Sequence, residues 1–180
     1  MSSPETTQYT FIQVWGGKVF DIYNPTTEMI DIENIAHALS LLCRFGGHCN
    51  EFYSVADHSI RCSEYAPNEY KLEALLHDAS EAYLVDMPRP LKHALKDYRN
   101  LEKKFEGVIQ EKFDLPRGMS VVVKDIDNKM LITEKRDIMS PMDRPWEGDW
   151  PDPFEDKIIP RKDPKKVEKL FLDYYYRYNW

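Results

Sequence analysis

From Asp31 onward, apolar side chains recur at three- and four-residue intervals, the spacing that gives a helix one buried face. Ile32, Ile35, Leu39 and Leu42 form the first such stripe, with Asp31 placed to cap it and Arg44, Phe45, Gly46 and Gly47 to end it. A second helix is expected from about 52 to 65, and a third from Pro67, a residue suited to a first helical turn, to about Leu84. Leu95, Tyr98, Leu101, Phe105, Val108, Ile109 and Phe113 mark another over about 95 to 113, followed by one over about 120 to 139. Asp163 and Pro164 open the last helix, whose buried stripe is expected to be Val167, Leu170, Phe171 and Tyr174. Two segments break this rhythm. TFIQVWGGKVFDI alternates β-formers around Gly16 and Gly17 and predicts a hairpin of strands near 10–14 and 18–22 lidding one edge. Residues 141 to 160 are rich in Pro, Asp and Trp without a helical period and predict an irregular surface loop able to shield a pocket. MPRPLK reads as a proline-rich turn.

The pattern predicts an all-α bundle with a small N-terminal β-hairpin. At 180 residues the chain suits one domain with a real core, spanning 1–180: core about 28–140, loop about 141–162, C-terminal helix about 164–178. A net charge of -7 weighs against tracking long nucleic acid, although a local cluster of cations still suits a small phosphorylated molecule. No apolar run approaches the roughly 20 residues that cross a bilayer, and MSSPETTQYT lacks the features of a secretory signal, so no membrane partner and a cytoplasmic location are expected. Cys43, Cys49 and Cys62 are odd in number and form no CxxC, against a disulfide framework or a thiolate zinc knuckle.

The candidate chemistry lies in three helical segments: His58 in SVADHS, the adjacent His77 and Asp78 in LLHDASEAYLVD, and Asp127 in VKDID. Successive helical residues diverge by about 100°, so His77 and Asp78 flank a groove rather than share a line. With His58 and Asp127 they supply two nitrogens and two oxygens, a donor set for a divalent transition metal that leaves positions open for water or substrate. Glu81, four residues past His77, is placed to orient water, and Asp86 beyond it is a second carboxylate able to move a proton. Asp125 competes with Asp127 within DID and is read as a solvated charge. His37 is expected to pack or hydrogen-bond locally, and the spacing of His48 assigns it no role. In the tyrosine run 174–176 with Trp180, one aromatic is expected to pack inward while others stay exposed.

Through ENIAHALSLLCRFGGH, FYSVADHS, LLHDASEAYLVDMPRPLK and VKDIDNKMLITEKRD, over roughly 28 to 140, the chain resembles the HD-domain phosphohydrolases, nearest the bacterial 5′-deoxynucleotidases and the phage dATP triphosphohydrolases. The resemblance implies an HD-domain helical bundle with one divalent transition metal (Mn, Co, Zn, Ni or Fe) on His58, His77, Asp78 and Asp127, and Glu81 and Asp86 as catalytic carboxylates. It implies substrate contacts from Arg44 and Phe45 and phosphate contacts from Lys92 and Lys124. The expected activity is hydrolysis of small (deoxy)nucleotides: first a 5′-deoxynucleotidase on deoxynucleoside monophosphates, next a dNTP triphosphohydrolase. A nucleotide-binding HD domain without turnover is the reading from another class, and cyclic dinucleotide hydrolysis fits less well. The expected partner is a small nucleotide substrate, in a family where homo-oligomers are common.

Overall fold

The computed structural model describes residues 9 to 179. It is mostly helical, with one two-stranded antiparallel sheet near the N-terminus. Strands β1 (Phe11–Gln13) and β2 (Val19–Asp21) pair in the register Ile12 to Phe20, joined through a short 3-10 turn containing Gly16 and Gly17. Both glycines have positive φ, the conformation that lets so tight a reversal close. Phe20 turns inward and is fully buried, stacked on Tyr83 at 4.2 Å and on Phe105 at 5.4 Å, so the hairpin does cap one edge of the bundle.

Eight α-helices follow: α1 (Ile32–Leu41), α2 (Val55–Tyr65), α3 (Lys71–Leu76), α4 (Glu81–Leu84), α5 (Arg89–Ala94), α6 (Lys96–Lys112), α7 (Val121–Ile138) and α8 (Pro164–Tyr178). Their starts follow the sequence. Asp31, Ser54, Ser120 and Asp163 each accept a hydrogen bond from a first-turn backbone N–H, satisfying donors that the helix itself leaves open. Helix α2 sits at the centre, packed against α1, α3, α7 and α8. Eight of its eleven residues are buried, among them Asp57 and His58. One core cluster gathers Phe20, Ile35, Leu39, Ile60, Leu75, Phe105 and Phe171, and a second gathers Tyr53, Cys62, Val123, Met130 and Ile158.

Three expectations need correction. The helix predicted from Pro67 to Leu84 is interrupted: α3 stops at Leu76, residues 77–80 form a tight turn, and α4 begins at Glu81. Within that turn, backbone N–H groups reach back three residues, as from Ala79 to Leu76 and from Glu81 to Asp78, a tighter winding than an α-helix. The MPRPLK segment is not only a turn, because Arg89–Ala94 forms α5 with Pro90 in its first turn, where a proline costs no hydrogen bond. In α8 the buried tyrosine is Tyr175, four residues after Phe171; Leu170 and Tyr174 are only half-buried, and the Tyr174 hydroxyl donates to Glu64 at 2.9 Å. Trp180, considered with these tyrosines, lies outside the described residues.

The 141–160 segment has no regular structure, as its composition predicts. Its second half is strapped down: Phe154 stacks on Tyr65 at 3.8 Å, and Arg136 donates to the carbonyls of Phe154 and Asp156. Among the described residues no helix is long and apolar enough to cross a membrane.

Candidate metal centre

The central helix delivers His58, and the turn after α3 delivers His77 and Asp78 side by side; α7 contributes Asp127 from its second turn. Their atoms converge. His58 Nε2 lies 3.2 Å from His77 Nε2 and 3.5 Å from both Asp78 Oδ2 and Asp127 Oδ1. His77 Nε2 lies 3.3 Å from Asp78 Oδ2 and 3.8 Å from Asp127 Oδ1. An ion about 2.1 Å from each donor sets neighbouring donors about 3.0 to 3.4 Å apart in octahedral or tetrahedral geometry, close to the separations of these four side chains.

His58, Cys62 and His77 also bring one donor each within 4.8 Å of one another, a group able to hold a metal ion. Cys62 follows His58 by one helical turn, and its Sγ stands 3.6 Å from Nε2 and 4.0 Å from Nδ1 of that ring.

The ring nitrogens facing away from the cluster are both engaged. His77 Nδ1 is 2.8 Å from the carbonyl of Ala74, and His58 Nδ1 is 2.6 Å from Glu134 Oε1. A proton held on each Nδ1 leaves Nε2 as the free donor, the usual arrangement behind histidine metal ligands. Glu134 is fully buried; Oε1 also accepts from Tyr53 at 2.9 Å, and Oε2 accepts from Arg44 Nε at 3.2 Å. Arg44 Nη1 continues to Asp78 Oδ2 at 3.4 Å, so one chain of charged contacts runs from His58 through Glu134 and Arg44 back to the donor cluster.

The electrostatics follow from this crowding. Burial and Arg44 push His58 toward the neutral form, yet Cys62 first, then Glu134 and Asp127, hold it well above its ordinary range; His77 is buried too and is held up by Asp78 and Asp127. Burial alone would raise Asp78 and Asp127, but the two imidazoles keep both carboxyls below the usual range. Glu134, also buried, is held low by Arg44 and His58. Without an ion the protons sit among the donors, so metal binding must release them and tighten as pH rises.

The remaining predicted residues cluster around these. Glu81 is buried, with Oε1 3.3 Å from Lys92 and Oε2 without a hydrogen-bond partner among the described residues. Burial first, then Asp78 and Asp86, lift its carboxyl well above the normal range. Lys92 is bracketed by Glu81 and, at 2.6 Å, by Glu102. Lys124 Nζ reaches Asp127 Oδ2 at 3.0 Å. Asp86 Oδ2 accepts from the backbone N–H of Phe45 at 3.0 Å and so anchors the RFGG loop. Phe45 holds a positive φ of 57° there, a conformation costly for a residue with a Cβ. Cys43 and Cys49, free thiols 3.6 Å apart, flank the same loop. Asp125 and His48 are exposed, and His37 pairs with Glu168 at 3.2 Å and stacks on Trp15, leaving all three outside the donor set.

Sequence reasoning missed Glu134, although a signal was present. Glu134 lies seven residues after Asp127, two helical turns along the same face of α7, and that face holds the buried Met130. A Glu134→Gln variant, which keeps the shape but loses the charge beside His58 and Arg44, is expected to weaken metal affinity about 10- to 100-fold at pH 7, read by competition with a chelator.

No family model matches the chain. It is 48% identical over 129 residues to the uncharacterized protein YfdR of Escherichia coli K12, covering 72% of each chain. It is 35% identical over 118 residues to an uncharacterized protein of Rhodobacter capsulatus, covering 60% of each. The chain therefore belongs to the YfdR family.

Proposed function

We propose that the protein is an HD-domain phosphohydrolase acting on small (deoxy)nucleotides, first a 5′-deoxynucleotidase that frees phosphate from deoxynucleoside monophosphates. The observation that carries this reading is the convergence of His58 Nε2, His77 Nε2, Asp78 Oδ2 and Asp127 Oδ1, with both outer imidazole nitrogens engaged. In this reading those four side chains hold one divalent transition metal, which supplies Lewis-acid charge to a phosphoryl oxygen.

The chain's own groups do the rest. Arg44, fixed between Glu134 and Asp78, presents its guanidinium to the phosphate oxygens, and Lys124 adds a half-exposed ammonium at the rim. Phe45, on the anchored RFGG loop, lines the nucleoside side. Water attacks phosphorus and loses a proton to solvent as the bond to the 5′ oxygen breaks, and Glu81, whose carboxyl burial, Asp78 and Asp86 lift well above the normal range, has its unpartnered Oε2 placed to give that departing oxygen a proton. Lys92 steadies the other oxygen of Glu81. Asp86, whose Oδ2 is occupied by Phe45, acts by holding the substrate loop. The pairing of Lys92 with Glu102 at 2.6 Å takes one cation away from a polyphosphate tail, which favours monophosphates over triphosphates.

A panel of dNMPs and dNTPs offered to protein loaded with Mn²⁺, Co²⁺, Zn²⁺, Ni²⁺ or Fe²⁺, with products identified by mass, tests this. Orthophosphate and deoxynucleoside from dNMPs is the expected result. Tripolyphosphate from dNTPs would make it a triphosphohydrolase, and nucleotide binding without product under every metal would overturn the catalytic reading.

A further inference from the structure

Arg89 has no part in the reading above, yet its guanidinium approaches the donor cluster. It begins α5 between Pro88 and Pro90, two rings that stiffen the backbone on either side. Nη2 lies 4.0 Å from Asp127 Oδ2 and donates to Asn128 Oδ1 at 3.5 Å. Lys124 meets the same Asp127 oxygen at 3.0 Å. Two cations therefore lean on one carboxylate whose other oxygen faces the histidine nitrogens. That single negative charge does not offset both. The inner cations differ: Arg44 sits between Glu134 and Asp78, and Lys92 is paired with Glu102 at 2.6 Å. Arg89 and Lys124 are also open to solvent, with side chains 45% and 44% exposed.

Trp150 adds a second, independent feature. Its ring centroid lies 5.5 Å from the Arg89 guanidinium carbon, and its indole N–H donates to the carbonyl of Glu147 at 3.0 Å, which fixes the ring. An aromatic plate behind a guanidinium orients the planar fork of donors without consuming its charge. This is also where the irregular 141–160 segment reaches the site.

We propose that Arg89, backed by Trp150, is a phosphate-binding residue beside the donor cluster. Its ligand is the dianion of a phosphoester: the fork leaves Asn128 and takes two phosphate oxygens while the stem stays against the indole. This rests on the phosphohydrolase reading for the identity of the substrate, but the site can be probed without turnover.

The experiment titrates metal-loaded protein with inorganic orthophosphate, by calorimetry and by tryptophan emission. Wild type is expected to bind, with an emission change that is lost in Trp150→Phe. Arg89→Ala is expected to lose at least about tenfold in affinity together with the emission change, and Arg89→Lys to recover part of the affinity. Metal content should stay at the wild-type level in all three variants. Arg89→Ala binding orthophosphate within twofold of wild type would overturn the proposal, as would loss of metal in that variant, which would make Arg89 a prop for Asp127. Nucleotide turnover that Arg89→Ala leaves unchanged would sink this inference alone, whereas absence of turnover by wild type with every metal would sink the phosphohydrolase reading.

Discussion

Asp78→Ala is expected to yield a folded protein that retains no divalent metal after desalting and turns over no nucleotide. Asp78 contributes one of the four converging donors, and its Oδ2 lies within 3.5 Å of both histidine nitrogens and of Arg44 Nη1. Removing it takes away an oxygen ligand and a negative charge. What remains is two imidazoles that lean further toward the neutral form and one carboxylate, a weaker site for a hard or borderline cation. Lewis-acid stabilisation of a phosphoryl oxygen is worth several kcal/mol, so kcat/KM should fall by at least about 10³-fold. The fold should survive because Arg44 keeps its contact with Glu134, and α2 stays packed through Ile60 and Cys62. Metal content by elemental analysis and far-UV circular dichroism check the two halves separately. Wild-type activity in a metal-free Asp78→Ala preparation would mean that the convergence has no catalytic meaning.

The sequence exposed the long-period features well and the local ones poorly. Helices α1, α2, α6, α7 and α8 could be placed because their apolar stripes run for several turns, and all but α6, which starts after Leu95, are capped by ordinary Asp and Ser residues. The break at 77–80 could not, because Leu76, Ala79 and Tyr83 keep a helical spacing straight through it. Periodicity reports which face is buried but not whether the hydrogen bonds reach back three residues or four. That His58, His77, Asp78 and Asp127 meet was legible in their order along the chain. Their support was not. Glu134 and Tyr53 sit 76 and 5 residues from His58 and meet it or its neighbours only through packing, and Arg89 reaches Asp127 across 38 residues. Nor does spacing reveal that Lys92 is held by Glu102, since that contact depends on how α5 folds against α6.

Replacing Glu81 with Gln should leave the metal in place and lower kcat by about 10² to 10³-fold, the scale of a single proton donor or charge stabiliser. The side chain keeps its volume and its contact with Lys92, so KM should change little. A second readout follows from linkage in the metal-free protein. The native carboxyl of Glu81 holds its proton to a pH well above the ordinary 4.5, because burial, Asp78 and Asp86 oppose its charge. Below pH 4.5 both the native and the unfolded chain are protonated there, and wild type and Glu81→Gln differ in stability by a constant amount. As pH rises past that value the unfolded chain gives up a proton that the native chain keeps. Wild-type stability then falls relative to the Gln variant, by at most about 1.4 kcal/mol per pH unit, until pH reaches the native value and the difference levels off. Urea unfolding of both proteins from pH 4 to 8 measures this. A stability difference flat across that range would show that Glu81 ionises normally in the folded chain, and the proton for the leaving oxygen would then have to come from another group.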